Sequence, residues 1–139
     1  MKLRVIWVGK TKNTQLAKLC DDYIGRIKHF LPLEILEVKE AKLQGVVDFA
    51  DRVIALDPSG KTWSSQEFAK FVQQHMTSDP RALTFVIGDY AGLPDNLKRR
   101  ADRAWSLSPL TFTHDLTRVL LLEQLYRALT VIHNLPYCK

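Results

Sequence analysis

The sequence predicts an α/β domain with a mostly parallel sheet and helices on both faces. Short β-rich runs alternate with stretches of helical apolar spacing along 139 residues, the pattern that strand–helix–strand units produce. Several strand-like runs are apolar nearly throughout, as strands covered on both sides are. They end in turn residues, at Gly9, Asp57-Pro58-Ser59-Gly60 and Gly88.

Residues 3–8 form the first expected strand. From residue 14 to about 30, Leu16, Leu19, Cys20, Tyr23, Ile24 and Ile27 recur at helical spacing, and Pro32 stops that helix. Residues 33–38 read as a strand, and 39–50 as loop or a short helix. Residues 52–56 are a short strand closed by the turn at 57–60. Ser64 and Glu67 have the spacing of a capping box ahead of a helix through Phe68, Phe71, Val72 and His75. Residues 83–87 are a buried-type strand. Pro94 suits the first turn of a helix carrying Lys98, Arg99, Arg100 and Arg103. Residues 104–107 read as a last strand, and 113–133 as the final helix.

This length suits one domain, residues 1–139. No uninterrupted apolar run approaches twenty residues, so no membrane span is expected. The N-terminus reads as a strand rather than a signal peptide. Cys20 and Cys138 make no disulfide framework, which fits a reduced, cytoplasmic setting. A net charge of +5 favours polyanionic partners without identifying one.

In open α/β sheets ligands collect at the carboxyl ends of strands, here Leu56-Asp57, Ile87-Gly88 and Leu107-Ser108. Gly88-x-x-x-Gly92 has neither the dinucleotide nor the P-loop spacing, and a purely structural turn is the alternative. His29, His75, His114 and His133 form no ligand pattern, so no metal is expected. His114-Asp115 reads as helix-end polarity or as a base. The final helix has apolar residues on more than one stripe, so it is either a central core helix or a subunit-facing one. Glu123 and Arg127 are spaced to pair. Arg118 has only Asp115 nearby, a pair too weak to withhold it from a ligand.

Val8-Gly9-Lys10, residues 56–61, Phe85-Val86-Ile87-Gly88, Ser106-Leu107-Ser108, Thr111, His114, Arg118-Val119-Leu120, residues 122–128 and the terminal Pro136-Tyr137-x-Lys139 resemble the RlmH family. These are SPOUT-class pseudouridine methyltransferases of the large ribosomal subunit, and the resemblance covers nearly the whole chain. It implies a trefoil-knotted α/β domain, which general topology rules argue against. It also implies a homodimer, S-adenosyl-L-methionine as cofactor, and methylation of a pseudouridine N3 in large-subunit rRNA of the assembled ribosome. The implied cofactor contacts are Leu56, Gly88, Leu107, Ser108, Pro109, Leu110, Thr111 and Phe112. Arg118 and Tyr137 are the implied substrate-side residues. Most relatives have two glycines where this chain has Gly88-Asp89, and end Tyr-His-Lys where it has Tyr137-Cys138-Lys139. A SPOUT methyltransferase of another RNA, or a non-catalytic RNA- or ribosome-binding knot protein, are the competing readings.

Overall fold

The computed structural model describes residues 1–137. The chain runs β1 (Leu3–Val8), α1 (Thr14–Lys28), β2 (Leu33–Val38), a 3-10 turn (Glu40–Lys42) leading into α2 (Leu43–Val46), β3 (Arg52–Thr62), α3 (Ser65–Ser78), β4 (Leu83–Ile87), α4 (Asp95–Arg100), β5 (Arg103–Ser106) and α5 (His114–Ile132). The five strands lie in the order β2-β1-β4-β3-β5, and each neighbouring pair is parallel.

Each central strand feeds two cores because successive side chains point to opposite faces. Val5 and Trp7 of β1, Ile54 of β3 and Phe85 of β4 join α1, α3 and α5 on one face. Ile6, Val8, Val53, Ala55 and Val86 meet Leu43, Val47, Leu93 and Leu97 on the other, under the short α2 and α4. The long helices carry side-chain caps, that of α3 as the sequence predicts. The Asn13 side chain accepts the amides of Gln15 and Leu16. Ser64 and Glu67 close the capping box of α3.

Two readings change, and the open one for α5 gains its core partners. Residues 57–60 are not the end of β3 but an excursion within it. Leu56 and Lys61 both stand opposite Trp105, and the strand then resumes alongside Ser106. Gly60 permits this return, since a Cβ there would lie 2.6 Å from the Ala104 carbonyl carbon. Arg103 opens β5 rather than extending α4, with its guanidinium 4.8 Å from the Trp63 ring centroid. Finally, α5 is a central helix packed against both α1 and α3. Leu121, Leu122, Leu125 and Leu129 are wholly buried within the chain, so that surplus apolar surface does not require a second subunit.

Candidate functional site

The carboxyl ends of β3, β4 and β5 open into one cleft of about 680 Å³, counting its open mouth. Leu56, Asp57 and Pro58 form one side and the turn after β4 another. The segment from Leu107 to Phe112 closes it, together with His114 and Thr117 from the first turn of α5.

Each wall has a local cause. Gly88 must lack a side chain, because a Cβ would sit 2.6 Å from the Gly92 carbonyl carbon. The turn folds back on itself at that point. The Gly92 amide donates to the Asp89 carbonyl at 2.8 Å, and Gly92 takes φ +80, where glycine is unstrained. The loop after β5 is shaped by its own hydroxyls. Ser106 Oγ donates to the Ser108 carbonyl at 2.8 Å, and Ser108 Oγ accepts the Leu110 amide at 3.0 Å. Trp105 forms part of the lining. Its buried indole N–H has no hydrogen-bond partner among the described residues.

Of the predicted cofactor contacts, Leu56, Gly88, Leu107, Ser108, Leu110, Thr111 and Phe112 line this cleft, and Pro109 is not among its lining residues. Apolar walls with backbone polar groups between them suit a flat heteroaromatic ring. Asp57, Asp89 and His114, placed by sequence at strand ends and a helix start, also line the cleft, whereas sequence reasoning missed Trp105 and Thr117. The signal for His114 was its place at the start of α5, beside Asp115.

The structure places the two substrate-side residues away from the cleft. Arg118 is 0% exposed, against the expectation of an available arginine. It donates from Nη2 to the Val8 carbonyl at 2.6 Å and from Nη1 to Thr11 Oγ1 at 2.9 Å, and its guanidinium lies 4.8 Å from the Trp7 ring centroid. Asp115 is buried too, and its Oδ2 accepts the amides of Lys12 and Asn13 at 3.0 and 2.9 Å. The first turn of α5 thus has two faces. His114 and Thr117 meet the cleft, while Asp115 and Arg118 hold the loop after β1, where Lys10 and Lys12 are exposed. The pairing weighed from sequence survives only as a 4.0 Å approach of Arg118 to Asp115. Burial lowers the affinity of Arg118 for its proton, and Asp115 opposes that shift.

Tyr137 packs near the other end of α5. Its hydroxyl donates to Glu123 Oε2 at 3.1 Å and lies 3.1 Å from the Tyr23 hydroxyl. Burial, then Tyr23 and Glu123, push its phenol up, so it keeps its proton at neutral pH and serves as a donor. At about 1.5 Å per helical residue, Glu123 is roughly 9 Å along α5 from Thr117. Glu123 and Arg127 pair as the spacing predicts, at 3.0 Å. Cys138 lies outside the described residues. No group of three potential metal ligands occurs among the described residues, and no helix is long and apolar enough to cross a membrane.

The model of a family described as predicted SPOUT methyltransferase matches residues 1–138. A Geobacter sulfurreducens protein named ribosomal RNA large subunit methyltransferase H is 41% identical, covering 99% of each chain. A Coprothermobacter proteolyticus protein of the same name is 39% identical over 139 residues, covering both chains completely. Among solved structures, a probable methylase family protein from Haemophilus influenzae superposes with a TM-score of 0.63 at 10% identity, over 95% of this chain and 66% of that one. The SpoU methyltransferase AviRb from Streptomyces viridochromogenes, in complex with AdoMet, gives 0.53 at 12% identity, over 91% and 57%. Full-length identity to the first two relatives, added to a parallel sheet with its cleft at the strand ends, establishes that the chain belongs to the SPOUT methyltransferase family.

Proposed function

We propose that this chain binds S-adenosyl-L-methionine in the cleft at the ends of β3, β4 and β5 and methylates N3 of a pseudouridine in large-subunit rRNA. The observation that carries the reading is the convergence of Leu56, Gly88 and the 107–112 loop on one cleft, in a chain whose relatives are named as methyltransferases of that RNA. The loop-threaded topology of the SPOUT class belongs to the same reading.

The cofactor supplies an already activated methyl group on a sulfonium. What this chain must do is align donor and acceptor and exclude water. Leu56, Leu107 and Phe112 offer apolar surface for the adenine, and Gly88 lets backbone approach closely. The ring nitrogen gives up its proton as it takes the methyl. Tyr137, itself protonated, cannot accept that proton but can hold the base by a hydrogen bond. Arg118 acts as a positioning residue. It fixes the loop after β1, whose exposed Lys10 and Lys12 suit RNA phosphates. Because Tyr137 lies along α5 from its own cleft, the site is completed in a homodimer, with the Tyr137 end of one copy beside the cleft of the other.

The decisive experiment maps modified nucleotides in large-subunit rRNA from a strain lacking this protein. Ribosomes from that strain should lack one N3-methylpseudouridine and regain it on incubation with protein and cofactor. A complete modification pattern in the deletion strain would end this reading. Restoration at a different RNA would favour the other SPOUT alternative.

A further inference from the structure

We propose that Asp89 is a specificity residue for the methyl donor: its carboxylate favours the sulfonium-bearing cofactor over the neutral thioether product. The inference rests on the cofactor reading above. Two aspartates, Asp57 and Asp89, line the cleft. Asp57 is already matched, since Lys98 Nζ lies 3.5 Å from its Oδ2 and its Oδ1 accepts the Ser59 amide at 3.1 Å. Asp89 is half-buried and forms no ion pair among the described residues. Its Oδ1 accepts the Ala91 amide at 3.0 Å, and its carbonyl accepts the Gly92 amide, so the turn holds the side chain in place.

A carboxylate partly removed from water and unmatched by any cation is unfavourable, and a bound cation offsets that cost. The chain as a whole carries +5, which by itself disfavours a cationic ligand. Asp89 reverses that sign locally. The cofactor's ammonium travels with its own carboxylate, so the sulfonium is its net charge. On transfer the carbon–sulfur bond breaks and its electron pair stays on sulfur. The methyl joins the ring nitrogen, whose proton leaves to solvent. The product that remains differs from the cofactor by that methyl and that charge. An unmatched carboxylate in the cleft therefore discriminates between them in favour of the donor.

Asp89→Asn tests this, because the amide oxygen still accepts the Ala91 amide and the turn is retained. Affinities of S-adenosylmethionine and S-adenosylhomocysteine are measured by calorimetry on the full chain, unaltered and variant. The variant should bind the donor about fivefold or more weakly, as expected for a lost charge pair in a partly solvated site, with the product nearly unchanged. Raising salt should weaken donor binding to the unaltered protein more than to the variant. An unchanged donor-to-product ratio, equal weakening of both, or tighter donor binding would overturn the inference alone. Failure of the unaltered protein to bind either compound would overturn the cofactor reading and this inference with it.

Discussion

Gly88 and Arg118 show how single residues set the site. A Cβ at Gly88 meets the backbone of Gly92, not a flexible side chain, so the turn itself must shift. Gly88→Ala should cost about 1–3 kcal/mol of stability, as overpacking does, and distort the cleft. Urea unfolding checks the first effect and cofactor titration the second. A variant as stable as the parent would show that the turn yields easily. Arg118→Ala would strand the Val8 carbonyl and buried Asp115 without their cation. About 3 kcal/mol should be lost, the scale seen when one partner of a buried charge pair is removed. Arg118→Lys keeps the charge but not the fork that reaches Val8 and Thr11 together. If Arg118 positions the loop, the lysine variant should stay folded and bind cofactor, but methylate ribosomes with a raised KM.

At the scale of elements, α5 organises the molecule. Its middle and C-terminal turns supply core to α1 and α3, while its first turn divides between the cleft and the loop after β1. Capping by Thr113 fixes where that turn begins. α1 shows the reverse case, an element that is not optimised. Gly25 lies inside it with nothing within 4 Å of an added Cβ. Gly25→Ala should therefore stabilise the protein by about 0.5–1 kcal/mol through backbone entropy and helix propensity. The check is a higher urea midpoint at unchanged slope; a lower midpoint would mean that Gly25 meets a partner surface.

The whole molecule has two properties to test. The first is assembly. A variant filling the cleft, Leu107→Trp, and a variant lacking the phenol, Tyr137→Phe, should each be inactive alone. If the site spans two copies, mixing them should restore about a quarter of parental activity, because half of the randomly paired dimers then hold one intact site. No recovery after proven subunit exchange would place the site within one chain. The second property is acid stability. Arg4 holds the Glu34 carboxyl below its usual range, Ser64 does so for Glu67, and Arg81 for Asp79. Groups depressed in the folded state contribute stability above their unfolded values and lose it as pH falls through the folded ones. Stability should thus hold at neutral pH and decline below about pH 4. Thermal unfolding across pH 2–7 would reveal any different window.

The sequence by itself determined the alternation of strands and helices, the capping box at Ser64 and Glu67, and the strand ends that meet at the cleft, while the loop beyond Ser108 came from family resemblance. The first three are local: a 3.6-residue period, a hydroxyl three residues from a carboxylate, and loops at strand ends that a parallel sheet brings to one edge. Tertiary structure decided what depends on partners distant in the chain. The turn at 57–60 became an excursion because β5 is present to pair with both sides of it. Much of the broad apolar surface of α5 went to α1 and α3, whose faces the sequence does not bring beside it. Arg118 looked available because its partners, Val8 and Thr11, stand more than a hundred residues away, and only the packed fold brings their oxygens to its guanidinium.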